Sequence, residues 1–436
     1  MSFSAAFQNR ARSLRWQYKS IERPAKLYAA EGLIIAFVVN MLNNNNYLFA
    51  TRMGAGDIQL GLVSMLPQLV NMLVLIPGAV LTDSLKSKRW MVIFSIGLTG
   101  FLYLTIGFVP LFESVRLPAF IGLLALSSGT LTLYSLSWQS FFTEVIPSRK
   151  RNVTLTLRTY ASVLMGVLTP LITGNILSRL GGNEQKIMAH QGFFIAGALL
   201  LVLQISVLRR LKPVSPAHPQ NFRFSELKKA CVSLLHNKPF LIYAGVAWFF
   251  YLTWQMDWTM YFIGQTVYLK MNEAQLGIVI VCATLTQFLT LRIWSRVNDR
   301  KSVDYTLTFG LFGLCLCPLS MIAASSLPAP INIPSFIIFN TISNLASVTL
   351  QLNPFQCLLK VLDDKYKTIS ISLFTVLTCL SNAVMPFTGV MLYRALGGDL
   401  NALHGMFGIE FVLRVCAGLI WMLRLRYIGR QAQTAA

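Results

Sequence analysis

The chain is written twice. Asp57-Ile58-Gln59-Leu60-Gly61 returns 216 residues later as Glu273-Ala274-Gln275-Leu276-Gly277, and the same separation carries Asp83 onto Asp299, Gly97-Leu98 onto Gly313-Leu314, Val145 onto Val361 and Pro170 onto Pro386. A constant offset held across more than a hundred residues without a gap predicts two copies of one unit, fused in the same direction. Each copy holds about six long apolar segments, so the implied shape is a membrane protein with twofold pseudosymmetry about an axis along the membrane normal.

With 436 residues, 55% of them hydrophobic and 12% charged, and a mean hydropathy of +0.59, the chain is too apolar to wrap a water-facing surface around a soluble core. A bilayer core takes about 20 apolar residues per helix. We read twelve such helices, at 28–50, 58–81, 90–110, 118–144, 153–178, 188–208, 239–267, 273–295, 303–325, 333–358, 366–394 and 402–426. The expected fold is an all-α membrane protein whose twelve transmembrane helices form two pseudosymmetric six-helix bundles. Its expected divisions are a basic tail (1–27), a first bundle (28–210), a linker (211–238), a second bundle (239–427) and a short tail (428–436).

A formal charge of +21 raises the question of nucleic acid, but the basic residues fall in alternate connections. Arg10, Arg12, Arg15, Lys19, Arg23 and Lys26 precede helix 1. Lys86, Lys88 and Arg89 follow helix 2, Arg149, Lys150 and Arg151 follow helix 4, and Arg209, Arg210 and Lys212 follow helix 6. Arg296, Arg300 and Lys301 lie beyond helix 8, and Arg424, Arg426 and Arg430 beyond helix 12. The opposite connections carry only scattered charge, such as Arg52, Glu113, Arg116, Glu184, Lys186 and Asp399. By the positive-inside rule both termini are expected in the cytoplasm, and this pattern speaks for membrane insertion and against a nucleic-acid partner. Residues 1–27 hold no small-residue cleavage site, so helix 1 is the expected anchor, in a multi-pass protein of a bacterial cytoplasmic membrane. Seven scattered cysteines read as packing residues; Cys315 and Cys317 point to different helix faces, and no metal spacing appears. The sequon Asn152-Val153-Thr154 falls in an expected cytoplasmic connection and is set aside.

The linker opens with Lys212-Pro213-Val214-Ser215-Pro216 and turns amphipathic around Phe224 to Leu235, which predicts a loop followed by an interfacial helix. Pro170 and Pro386 occupy equivalent places in helices 5 and 11, with Gly166, Gly174 and Gly389 near them; such paired kinks suit a rocking transporter, and plain packing would use them too. After helix 2 the chain reads Gly78-Ala79-Val80-Leu81-Thr82-Asp83-Ser84-Leu85-Lys86-Ser87-Lys88-Arg89, and after helix 8 Trp294-Ser295-Arg296-Val297-Asn298-Asp299-Arg300-Lys301. An Asp followed by a basic cluster at both places, in a chain of two six-helix copies, resembles the major facilitator superfamily over residues 28–426. The usual glycines before and after the Asp are replaced by Ala79, Lys86, Ser295 and Ser302. The resemblance implies a monomeric secondary transporter without cofactor, moving a small organic solute by alternating access with protons as the driving ion. It makes Asp83, Lys88, Arg89, Asp299 and Arg300 gating residues. Proton antiporters of the superfamily tend to carry an Arg in helix 4, and none stands between Pro118 and Thr143, so import and export stay open.

Polar side chains at lipid depth are costly unless they face a bundle interior or a cavity. Asn40, Asn43, Asn44 and Tyr47 share one face of helix 1, with Asn45 and Asn46 alongside; Asn340, Asn344, Ser347 and Gln351 share one face of helix 10, and Thr375, Thr378 and Asn382 line helix 11. Tyr134 and Trp138 on helix 4 and Tyr251, Gln255 and Trp258 on helix 7 complete the candidate cavity; helix 7 also carries Trp248, Trp254 and Tyr261, and Trp258 and Tyr261 would serve equally as residues of the membrane interface. Amides both donate and accept, so these stripes suit a neutral or zwitterionic solute, and they would serve equally as interhelical glue. Gln68 and Asn71 map onto Thr284 and Gln287 by the same offset, a symmetric polar pair beside the axis. Asp257 is the candidate proton carrier, with Arg158 the other coupling candidate; Glu31 sits near the start of helix 1, and Glu410 with Arg414 reads as a structural i, i+4 pair. A membrane enzyme is disfavoured, because the four His, at 190, 218, 236 and 404, show neither metal spacing nor a nucleophile partner. A non-transporting sensor or scaffold on the same fold is the alternative.

Overall fold

The computed structural model describes residues 23–85, 87–213, 224–362 and 367–435, and among these every regular element is helical. The basic residues before position 23 lie outside them. Helices 1 to 6 run Arg23–Arg52, Asp57–Ser84, Lys88–Phe108, Arg116–Val145, Ser148–Ser178 and Asn183–Arg209. The linker contributes a helix at Phe224–His236. Helix 7 is made of Lys238–Gln255, Trp258–Ile263 and the π-turn Gly264–Tyr268; helices 8 to 12 follow at Glu273–Arg300, Val303–Ser325, Ala329–Leu359, Lys367–Ala395 and Leu400–Ala435. Eleven of the described helices are long and apolar enough to cross a membrane, and the remaining span is the interrupted helix 7.

Four spans expected to be continuous are broken, and their side chains show why. Helix 1 pauses at Asn44-Asn45, where Asn45 Nδ2 donates to the Met41 carbonyl at 2.7 Å and competes with the backbone ladder. Helix 7 breaks at Met256-Asp257, and Gly389 of helix 11 lets that break sit close, since a Cβ there would collide with the Met256 carbonyl. Helix 9 is interrupted at Cys315, three residues before Pro318, whose missing N–H cannot satisfy the Leu314 carbonyl. Helix 10 tightens into a 3-10 turn at Asn344–Ala346. Helix 5, by contrast, starts earlier than its apolar stretch predicts, at Ser148, so Arg158 stands nearly three turns inside it rather than one.

The repeated motif proves to be a helix start and a seam at once. In both copies the Gln closes the first turn: Gln59 Oε1 accepts from the Gly56 N–H at 3.1 Å and Gln275 Oε1 from the Asn272 N–H at 2.9 Å, while Asp57 and Glu273 sit in the first turn against the positive helix end. The glycine two residues after each Gln faces the other bundle, because helix 2 packs along helix 11 and helix 8 along helix 5. A Cβ on Gly277 would stand 2.6 Å from the Pro170 carbonyl oxygen, and one on Gly61 3.0 Å from the Phe387 ring, the residue that follows Pro386. Gly174 meets the Glu273 carbonyl as closely, at 2.7 Å. The two seams are thus related by the sequence repeat itself, with the glycine of one copy against the proline region of the other.

Polar contacts between the bundles gather at the end opposite the basic connections. Tyr47 and Thr259 hydroxyls lie 3.3 Å apart, Tyr47 stacks on Phe262, and Glu273 of helix 8 takes Arg52 of helix 1 at 2.5 Å and Lys186 of helix 6 at 2.6 Å. At the basic end Asp304 pairs within the second bundle with Lys360 and Arg424, each at 2.8 Å.

Candidate functional site

Two buried charge clusters lie in the two bundles, and their charge counts differ. In the first bundle Glu31 is wholly buried and accepts from Tyr134 OH, from Trp138 Nε1 at 3.2 Å, from Arg158 Nε at 3.2 Å and from Gln204 Nε2 at 2.8 Å. Gly32 leaves the room through which the Arg158 stem crosses helix 1, and the guanidinium rests 4.1 Å above the Trp138 ring. One carboxylate and one guanidinium balance in charge, and four donors converge on the carboxylate. Tyr134 and Trp138, expected at the cavity, point their polar atoms into it.

The second bundle is built differently. Arg414 of helix 12 reaches Asp257 Oδ2 at 2.7 Å and Glu410 Oε1 at 2.5 Å, so both carboxyls face the same guanidinium. The guanidinium also takes the carbonyls that the broken helices leave free, Leu314 at 3.0 Å and Trp254 at 3.1 Å. Pro318 and the Asp257 break therefore create the acceptors that hold Arg414 in place. Glu410 and Arg414 are not the isolated helix pair that their spacing suggests. Two carboxylates against one guanidinium leave one negative charge in a dry interior, which a proton or a cationic group must offset.

Beside this triad opens a cavity of about 280 Å3, lined by Trp254, Asp257, Trp258, Tyr261, Gln265, Gln287, Leu314, Cys317, Asn340, Asn344, Ser347, Leu350 and Arg414. Trp258, Asn340 and Asn344 of the expected cavity meet here, with Asp257. Tyr261 lines the cavity, and its hydroxyl is buried with no protein partner. Asn71 of the first bundle, the repeat partner of Gln287, is instead held by the hydroxyls of Ser128 and Thr132 at 2.8 and 2.9 Å.

Other candidates lie elsewhere. Asn40 Nδ2 donates back to the Ala36 carbonyl at 2.7 Å, Asn43 accepts from Asn46 at 3.5 Å, and Tyr47 belongs to the closed seam. Tyr251 packs between Trp254 and Phe374. Asn44 Nδ2, Gln255 Oε1 and Asn382 Oδ1 are buried without protein partners. The side chains of Gln351 and Asp83 lie outside the described residues. Lys88 Nζ donates to the carbonyls of Thr82 and Leu85 at 2.6 and 3.0 Å, Arg89 reaches the Leu211 carbonyl at 3.4 Å, and Asp299 and Arg300 are exposed. The better-anchored acid at this end is Asp304, with Lys360. Both were legible in the repeat, because Lys88 and Glu144 stand 216 residues before them with opposite charge.

Among proteins of known structure the fold recurs widely. A bacterial homologue of the human lysosomal transporter Spinster, in an inward-facing and occupied conformation, matches with a TM-score of 0.70 at 13% identity, covering 93% of this chain and 98% of that one. A POT family transporter in complex with 5-aminolevulinic acid matches at 0.70 and 12% identity over 93% and 96%. A D-xylose-proton symporter matches at 0.68 and 12% over 91% and 96%. No curated protein matches the chain. The Major Facilitator Superfamily profile matches residues 32–267, more than half of the sequence, from helix 1 to helix 7. With two six-helix copies joined at glycine–proline seams and a polar site between broken helices, the chain belongs to the Major Facilitator Superfamily and is a secondary transporter.

Proposed function

We propose that the protein carries a small organic solute, neutral or zwitterionic, bound in the second bundle's cavity, and that the Asp257–Glu410–Arg414 triad couples its movement to protons. The observation that carries this is the triad's unbalanced charge beside an amide- and aromatic-lined cavity: a proton offsets the surplus carboxylate, and the solute meets Trp254, Trp258, Tyr261 and four amides. The Glu31–Arg158 network is charge-balanced, which favours Asp257 over Arg158 as the coupling group. The basic connections put that end in the cytoplasm. With cross-bundle contacts at the opposite end, the arrangement is then the one that faces inward, in a monomer whose seams are internal. Helices 2, 5, 8 and 11 slide at the glycine–proline seams as access alternates.

The solute class is testable by thermal shift against a metabolite collection, followed by affinity measurements on Asn344→Leu. Removing that cavity amide is expected to weaken binding by about 1–3 kcal/mol, the value of an unpaired buried hydrogen-bonding group, while the unliganded melting temperature changes little. A sharp fall in melting with unchanged affinity would assign Asn344 to packing.

A further inference from the structure

A second cavity, of about 300 Å3, lies at the charge-poor end between the bundles, lined by Leu48, Thr51, Arg52, Lys186, Phe262, Thr266, Met271, Asn272 and Glu273. Phe262, one of its lining residues, stacks on Tyr47 at 5.1 Å between ring centres, and the preceding Tyr261 lines the solute cavity. Its charge is the reverse of the triad's. Arg52 and Lys186 both come from the first bundle and both converge on one oxygen, Oε1, of the buried Glu273. Among its lining residues two cations face one carboxylate, and the Arg52 Nε has no partner although it is buried. A surplus positive charge supplied by an Arg and a Lys on the wall of one cavity is chemistry for an oxyanion, which such side chains hold by charge-assisted hydrogen bonds.

We propose that this cavity binds a small oxyanion, a carboxylate or a phosphate, and that the anion holds the charge-poor end shut. Its walls belong to both bundles: helices 1 and 6 bring the cations, and helices 7 and 8 bring Thr266, Asn272 and Glu273. An anion lodged there touches both bundles only in the closed arrangement and so shifts the population toward it. Glu273 acts as a tethered competitor, taking part of the positive charge when no anion is bound.

Melting of the purified protein in phosphate or acetate, each compared with chloride at constant ionic strength, tests this without knowledge of the transported solute. Wild type is expected to gain melting temperature saturably in one oxyanion, and which of the two acts tells phosphate from carboxylate. Lys186→Gln removes the surplus charge and should abolish the gain, while Lys186→Arg keeps it. Glu273→Gln removes the competitor and should lower the half-saturating concentration about tenfold, the effect of one modest charge interaction. Equal melting of wild type in phosphate, acetate and chloride, or an undiminished gain in Lys186→Gln, overturns the proposal.

Discussion

Replacing Asp257 with Asn is expected to abolish accumulation driven by a pH gradient while exchange of labelled for unlabelled solute continues. The substitution keeps the shape of the side chain at the helix 7 break and leaves Arg414 paired with Glu410, so the cavity stays formed. What it removes is the second carboxylate. One acid against one guanidinium is balanced, and the site then has no surplus charge for a proton to offset. Net movement needs that proton to load on one side and leave on the other, whereas exchange needs only that the loaded carrier reorient. Proteoliposomes with an imposed pH difference, assayed in both modes, separate the two. Accumulation undiminished in Asp257→Asn would take the triad out of the coupling and turn attention to Glu31 and Arg158.

Gly277→Val is expected to stop transport by preventing closure of the charge-poor end. A side chain there would press on the Pro170 carbonyl, which belongs to the backbone and cannot swing aside. Overpacking of this kind costs about 1–3 kcal/mol. The cost falls on the closed arrangement alone, because the seam separates when that end opens, so it becomes a bias of roughly fivefold to over a hundredfold toward the open form. Thr259, fully buried under Tyr47, reports it: with the native cysteines replaced, Thr259→Cys should resist an impermeant thiol reagent from that side, and become reactive when combined with Gly277→Val. Gly61→Val at the related seam should act more weakly, since the Phe387 ring it meets can rotate. Unaltered reactivity together with intact transport would show that the Gly277 contact is incidental.

The repeat made the two six-helix copies and the equivalence of Pro170 and Pro386 legible, since a fixed offset fixes both copies at once; that Gly61 and Gly277 face the opposite copy's proline region was not, because an offset does not say which helices pack. Helix breaks were less so. The Asn44-Asn45 and Met256-Asp257 interruptions carry no proline, and only the side chain that competes for a carbonyl, or the guanidinium that takes one, explains them. Arg414 shows the limit most plainly. Its i, i+4 neighbour Glu410 suggested a local pair, but its other partners, Asp257 and the Leu314 and Trp254 carbonyls, come from helices 7 and 9, and no sequence spacing links them. The Glu31 network failed to stand out for a similar reason: Glu31, Tyr134, Trp138 and Arg158 each drew notice singly, and three-dimensional packing made them one unit. Arg52 and Lys186 looked like scattered charge in the charge-poor connections, and Glu273 like one residue of the repeated motif, until helices 1, 6 and 8 brought them together.

Alternation about the two seams is most directly tested by paired distances across the bundles, from spin labels at Gly181 and Leu396 for the charge-poor end and at Arg149 and Arg300 for the basic end, all exposed positions. Measured by pulsed electron resonance with and without Gly277→Val, the charge-poor distance should lengthen while the basic-end distance shortens in the same molecules. Distances that lengthen together, or a change confined to one end, would contradict a rocking of the two bundles against each other.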